Sequence, residues 1–348
     1  MEFVEESAPS ATESRRLVKF SPPYRGENVA QPTFDLIDVE YDGPIGRIVL
    51  NSPEKRNPLG YERLLQIEMA AKLMELNDDV RVIIIKGQGK DFCAGFDITP
   101  VKPGEPVRNM PENGYIHPDR DNIWQSYDLE HLRVFTTLFE LQKPVIAQIH
   151  GHCLAGGTEL AGFCDLRVVA EDAKIGYPVT RNWSSGNLQY IPWLVGMTKA
   201  KYYMFTGEPM DGVEALRCGW ASEAVPADEL EARTEELARK IALTPTDLIM
   251  LTKRSINRQF EVMGMHTGLR SSVDIWALAV MRLMAKNDKD NSGDEFHRIA
   301  HTEGLKAALS WRDKTFGANY RTARHAEENG TGAAAADGDG APAEHSPA

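Results

Sequence analysis

Apolar and polar positions fall into two regimes along the chain. The first begins near Asp35 with short alternating or β-branched runs. Leu36 to Tyr41 and Gly46 to Leu50 predict two strands, joined as a hairpin across Asp42-Gly43-Pro44. Tyr61 to Asn77 carries Leu64, Leu65, Met69, Leu73 and Leu76 at helical spacing and predicts a helix. Val80 to Ile85 reads VRVIII, an unbroken apolar run suited to a strand buried on both faces. Asn122 to Leu141 predicts a helix, Pro144 to Ile149 another buried strand, and Leu166 to Ala170 a further one. After about Met197 helical patterns take over, at Thr198 to Phe205, Asp228 to Leu243, Thr246 to Phe260, Gly268 to Lys286 and Thr302 to Trp311. The strand–helix alternation predicts an α/β core with parallel strands, followed by a mainly helical part. No internal repeat is visible.

Composition narrows the reading. The chain has 348 residues, of which 42% are hydrophobic, enough to build a core and to exclude wholesale disorder. Expected units are an α/β core over 35–196 and a helical region over 197–318. Residues 1–34 mix Pro, Ser, Glu and Arg and are expected to form a mobile arm. Residues 319–348 are expected to be a disordered tail, because NGTGAAAADGDGAPAEHSPA cannot bury enough surface to offset its ordering entropy. The net charge of −12 argues against nucleic acid as a partner. No apolar run reaches the roughly 18 residues of a membrane span. The opening MEFVEESAPSATESRR lacks the apolar stretch of a secretory signal. Cys93, Cys153, Cys164 and Cys218 form no CxxC pair. A reduced, cytoplasmic protein is therefore expected.

Two segments carry candidate chemistry, each just after a predicted buried strand, where α/β folds place ligands. One is KDFCAGFDI, Lys90 to Ile98; the other is HGHCLAGGTELA, His150 to Ala161. Their glycines let backbone N–H groups approach a ligand. In the second segment the glycines open a helix, whose first N–H groups lack internal acceptors and carry partial positive charge. N–H donors from two such loops converging on one oxygen would make an oxyanion hole. Glu159 follows Gly156 by three residues and shares its helix face, a suitable place for a general acid or base. The plainer readings are a tight strand-to-helix turn and a carboxylate that merely satisfies a helix dipole. His150 and His152 read as hydrogen-bonded core groups. The GQG at 87–89 is not a dinucleotide fingerprint, and neither a P-loop nor a GxSxG elbow occurs. No His, Asp or Glu spacing suggests a metal site.

The two segments in this order, with HGHCLAGGTELAGFCDLRVVAEDAKIGYP read as one block, resemble the crotonase, or enoyl-CoA hydratase/isomerase, family. NSPEKRNPL, ALRCGWASEAVPADEL and EGLKAALSWRDKTF fit the same family, so the resemblance spans about Asp35 to Phe316. It implies a ββα superhelical core, a helical C-terminal oligomerisation region, and a homotrimer or dimer of trimers. It implies an acyl-CoA substrate and no separate cofactor, coenzyme A being part of that substrate. Carried over, the backbone N–H groups of Phe96 and Gly156 would form the oxyanion hole and Glu159 would be the acid/base. Ala94 to Asp97 would run along the adenine and pantetheine, with Lys55 and Arg56 near the phosphates.

One departure matters. Family hydratases usually carry a second glutamate in a Gly-x-Pro-Glu stretch, and here that stretch is Gly176-Tyr177-Pro178-Val179. Val179 cannot move a proton. Arg181, Asn182, Trp183 and Asn187 follow it, and Tyr115, His117, Asp119, Asp121, Asp128, Glu130 and His131 lie in or beside the Pro- and Gly-broken insert. Each is a candidate substitute. Trp183, Val179 and Tyr115 are expected to shape the acyl pocket, and aromatic residues there, including Trp124, Tyr127 and Tyr190, hint at a bulky acyl group. The expected activity is hydration, dehydration or isomerisation of an enoyl-CoA through an enolate. Hydrolysis of a cyclic β-keto acyl-CoA or a thioester, and non-catalytic acyl-CoA binding, are the alternatives.

Overall fold

The structure is a computed structural model describing residues 33–98, 132–181, 185–186, 188–284 and 292–316. Expectations for the N-terminal arm, the insert and the C-terminal tail lie outside these residues. Eight strands are present among them: β1 (Ile37–Asp42), β2 (Ile45–Leu50), β3 (Val82–Gly87), β4 (Val145–Ile149), β5 (His152–Leu154), β6 (Leu166–Ala170), β7 (Lys174–Gly176) and β8 (Glu223–Val225). The helices are α1 (Tyr61–Leu76), α2 (Arg133–Glu140), α3 (Gly156–Gly162), α4 (Ile191–Thr206), α5 (Gly212–Arg217), α6 (Leu230–Ala242), α7 (Thr246–Val262), α8 (Met265–Met284), α9 (Ser292–Thr302) and α10 (Leu305–Phe316).

Six strands form one sheet in the order β1-β2-β3-β4-β6-β8, and β5 pairs with β7 in a second. The β1–β2 hairpin is antiparallel, with Asp42 opposite Ile45 across Gly43 and Pro44. Every other pairing is parallel. The residues of β2 and β4 are all buried, as expected of strands covered on both faces. Adjacent residues of β2 show what covers them. A Cβ on Gly46 would stand 2.7 Å from Met74 Sδ of α1. Arg47 makes a two-pronged bond to Glu235 of α6, with both N···O distances 2.7 Å. Successive strand residues point to opposite faces, so α1 and α6 sandwich the sheet.

Helix α1 buries a different stripe from the one its large residues suggest. Leu64, Ile67, Ala70, Ala71 and Met74 face the core, whereas Met69 and Leu76 are nearly half exposed. Two charged residues share the buried side because they are paired. Glu68 meets Lys72 and Arg133, and the Arg63 guanidinium donates to the carbonyls of Leu36 and Pro58. Small alanines and satisfied charges rotated the contact face away from the leucine spacing.

The C-terminal half is helical, as expected, with boundaries that move at glycines. Helix α4 starts seven residues before the expected Thr198 and is broken internally at Gly196, which takes φ 73°. The pattern over Thr302 to Trp311 straddles a break: α9 ends at Thr302, Gly304 takes φ 92°, and α10 begins at Leu305. Phe296, Ile299, Ala300 and Ala308 give this helix pair its own apolar core. Among the described residues no helix is long and apolar enough to cross a membrane.

Candidate active site

Strands β3 and β4 are parallel neighbours, so the chain leaves both at the same sheet edge. The 88–98 loop follows β3; His150, Gly151, β5 and α3 follow β4. The two runs are stitched side by side. Phe92 N–H donates to His150 O at 2.9 Å, Cys93 N–H to His152 O at 3.0 Å, and Leu154 N–H to Cys93 O at 2.9 Å. Asp91 clamps them. Its Oδ1 accepts from the His152 backbone N–H at 2.9 Å and lies 2.6 Å from His152 Nδ1, while Oδ2 lies 3.6 Å from Arg56 Nε. Burial pushes the Asp91 carboxyl up, but His152 and then Arg56 outweigh it, and the net shift is downward.

The turn after β2 joins this pair. Buried Asn57 accepts from Ser52 N–H at 2.9 Å and donates to the carbonyls of Gln88 and Asp91 at 2.9 and 2.8 Å. Ala94 N–H donates to Arg56 O, Leu59 N–H to Gly95 O, and Asp97 N–H to Leu59 O. Lys55, Arg56, Ala94 and Asp97 thus gather on one flank, the two basic residues exposed and the other two half-buried.

Phe96 and Gly156 touch. Gly95 takes φ 97°, and a Cβ there would stand 2.8 Å from Leu154 O and 3.3 Å from Gly156 N. A Cβ on Gly156 would stand 2.5 Å from Phe96 Cε2. Ala155, immediately before α3, takes φ 48° and ψ −119°, a strained turn into a helix whose first N–H groups have no acceptor within the helix.

Glu159 sits in the first turn of α3 and is fully buried. Its Oε1 accepts from the Tyr177 hydroxyl at 3.0 Å. Its Oε2 has no hydrogen-bond partner among the described residues. Burial pushes the carboxyl up to about 8, against the hydrogen bond from Tyr177 and the nearby backbone N–H of Leu188. A carboxyl of this kind exists in both forms near neutral pH and can give or take a proton.

The remaining candidates separate. Val179 is half-buried on the 3₁₀ turn Pro178–Arg181, two residues from Tyr177. Arg181 is buried and committed to the C-terminal helices: Nε donates to Thr206 O at 3.2 Å, a terminal nitrogen lies 3.4 Å from Asp313 Oδ1, and the guanidinium covers the Phe316 ring. His150 Nε2 lies 2.9 Å from Gly89 O, and both histidines are hydrogen-bonded as expected. Tyr190, offered as a pocket aromatic, is a core residue instead, packed on Phe163 at 5.8 Å between ring centroids and against Gly162. Tyr115, His117, Asp119, Asp121, Trp124, Tyr127, Asp128, Glu130, His131, Asn182, Trp183 and Asn187 lie outside the described residues. Sequence spacing missed one group of possible metal ligands. Glu140, Glu261 and His266 bring one ligand atom each to within 4.8 Å of the others, with Arg258 already paired to Glu261. Spacing also missed Tyr177 and Asp91, whose partners are distant in sequence.

The profile of the enoyl-CoA hydratase/isomerase family matches residues 40–280. EchA13 of Mycobacterium tuberculosis, which carries a provisional enoyl-CoA hydratase name, is 33% identical over 262 residues, covering 70% of this chain and 80% of that protein. The short-chain-enoyl-CoA hydratase of Clostridium acetobutylicum is 28% identical, covering 77% of this chain and 97% of its own length. A crystal structure of enoyl-CoA hydratase from Mycobacterium smegmatis superposes with a TM-score of 0.72 at 29% identity, covering 83% of this chain and 97% of that one. An enoyl-CoA hydratase/isomerase from Xanthobacter autotrophicus Py2 gives 0.69 at 27% identity, covering 81% and 99%. The chain belongs to the enoyl-CoA hydratase/isomerase family, the crotonases, and has their fold.

Proposed function

We propose that the protein adds or removes water across the α,β double bond of an acyl-CoA, with Glu159 as its single acid/base. One observation carries this reading: a fully buried carboxyl, pushed up to about 8, with one oxygen unpartnered among the described residues, lies one helical turn beyond a glycine that touches Phe96. In the hydration direction, ionised Glu159 takes a proton from water as the water oxygen bonds the β-carbon. The double-bond electrons move onto the thioester oxygen, held by the N–H groups of Phe96 and Gly156. As the enolate collapses, Glu159 returns the proton to the α-carbon. Net, one water is added, and no cofactor beyond the CoA thioester is required. Isomerisation uses the same groups, with the proton taken from one carbon and returned to another. Lys55, Arg56, Ala94 and Asp97 are assigned to the CoA side, and Val179, Trp183 and Tyr115 to the acyl side.

Val179 favours a second reading. With no carboxylate at that position, Glu159 could direct water at a carbonyl, cleaving a cyclic β-keto acyl-CoA or the thioester. Incubation with enoyl-, 3-hydroxy- and cyclic β-keto-acyl-CoAs in ¹⁸O water, beside Glu159→Gln, separates the readings by mass spectrometry. The expected product gains one water without chain cleavage and is absent with the variant. A ring-opened or CoA-free product carrying ¹⁸O moves the protein to the hydrolase reading. Binding without turnover makes it an acyl-CoA-binding member.

The helical region leaves apolar side chains in solvent: Phe205 is 77% exposed, Leu243 83% and Val262 84%. Exposed apolar side chains on these helices fit association between copies of the chain, and we assign them to a homotrimer or a dimer of trimers. Sedimentation at micromolar concentration should return the mass of three or six chains; a single-chain mass overturns the assignment.

A further inference from the structure

Tyr177 has no role in the reaction as proposed above. Yet its side chain is buried, it closes β7 two residues before Val179, and its hydroxyl is 3.0 Å from Glu159 Oε1. The two residues are 18 apart in sequence and meet only because β7 pairs with β5, which leads into α3.

The surroundings make this contact decisive. Around Glu159, the turn after β7 contributes the Tyr177 hydroxyl and the segment before α4 contributes the Leu188 N–H. Tyr190, from the same segment, is a neutral phenol held well above its ordinary value by burial. Helix α3 itself brings Gly156, Gly157 and Thr158, none of which titrates. Among the described residues no Lys, Arg, His or second carboxylate acts on Glu159. Its ionisation and orientation therefore rest on burial and on these few donors.

A hydroxyl donates one proton, and a neutral carboxyl holds one proton on one of its two oxygens. With Oε1 accepting from Tyr177, Oε2, which has no hydrogen-bond partner among the described residues, is the oxygen left to carry the exchangeable proton. We propose that Tyr177 is a positioning residue for Glu159, its hydroxyl engaging Oε1 so that Oε2 alone takes and returns the substrate proton. The proposal rests on Glu159 being the acid/base. It gives the chain a neutral fixed donor beside the position where a second carboxylate would stand. Tyr177 does not itself exchange a proton with substrate, so no bond is made or broken at its hydroxyl.

The test is Tyr177→Phe, which keeps the ring and removes the donor. Infrared difference spectra across pH, with Glu159→Gln as the blank that assigns the carboxyl band, read the Glu159 midpoint without any substrate. Loss of a donor that favours the charged form should move the midpoint upward by about one pH unit. The acid limb of kcat/KM should move by the same amount, and kcat at neutral pH should fall about tenfold with KM little changed. An unmoved midpoint and pH profile overturn the proposal, even if melting temperature drops. Should the variant fail to fold, the wild-type band decides: a hydrogen-bonded carbonyl frequency supports the contact, and a free-carbonyl frequency refutes it. If Glu159→Gln retains full turnover, the functional reading fails, and with it the assigned role of Tyr177. If Glu159→Gln is inactive while Tyr177→Phe is unchanged in both readouts, only the positioning role fails.

Discussion

Glu159→Gln is expected to lower kcat by about three orders of magnitude and, at the same time, to make the protein harder to melt above neutral pH. The first effect follows from removing the only acid/base in the proposed mechanism, a contribution of about 10²–10⁴ in rate. The second follows from burial. Glu159 titrates near 8 in the folded chain against an ordinary value of 4.5. Between those values the folded state keeps a proton that the unfolded state releases. Stability is fully present below about 4.5 and declines by about 1.4 kcal/mol per pH unit as pH rises toward 8, a few kcal/mol in all. Glutamine does not ionise, so the melting temperatures of the two proteins should diverge steadily from pH 5 to pH 8, in favour of the variant. Parallel melting curves over that range would show that the carboxyl is not held neutral by its surroundings.

Asp91→Ala is expected to cost about 2–4 kcal/mol, the loss of buried hydrogen bonds to an ionised group. His152 would keep its burial and lose its 2.6 Å partner, and the His152 backbone N–H would lose its acceptor. Arg56 would lose the Asp91 carboxylate, whose Oδ2 lies 3.6 Å from its Nε. Because the folded Asp91 titrates below its ordinary 3.8, its contribution is present above that value and disappears as pH falls through the lower, folded one. Urea unfolding of the two proteins should therefore differ at pH 7 and converge in strong acid. Turnover should fall with stability, since the same carboxylate keeps the Phe96 and Gly156 loops in register. A cost below about 1 kcal/mol at pH 7 would mean that the backbone ladder alone holds the loops.

What could be read from the chain and what could not divide along range. The buried runs of β3 and β4 announce themselves because a strand covered on both faces has no polar positions to place. The glycines at 95 and 156 announce a close approach of two loops, and a side chain on Gly95 would indeed stand 3.3 Å from Gly156 N. Strands β5, β7 and β8 have three residues each, too few for a period to register. The buried face of α1 escaped because alanines and hydrogen-bonded charged residues fill much of it beside Leu64, Ile67 and Met74. The pattern over Thr302 to Trp311 covers most of α10 but touches α9 only at its last residue, so α9 went unread, and the break between the two rests on a lone glycine, a weak signal until its left-handed φ is seen. The contacts Tyr177–Glu159 and Asp91–His152 join positions 18 and 61 residues apart. No local spacing encodes them; they exist because parallel strands deliver distant loops to one edge.

Among the described residues, the non-glycine positions with left-handed φ are Arg56, Asn57 and Ala155, and all three border the candidate site. Such conformations cost of order 1–3 kcal/mol each when held in place by their surroundings. An engineer seeking a hardier enzyme could relieve the turn at Ala155 with glycine, since glycine at Asn57 would remove three buried hydrogen bonds, and would be loosening the very segment that holds Phe96 against Gly156. Robustness in this protein is better sought at its exposed apolar helices, where a change of side chain leaves the tension of the loops untouched.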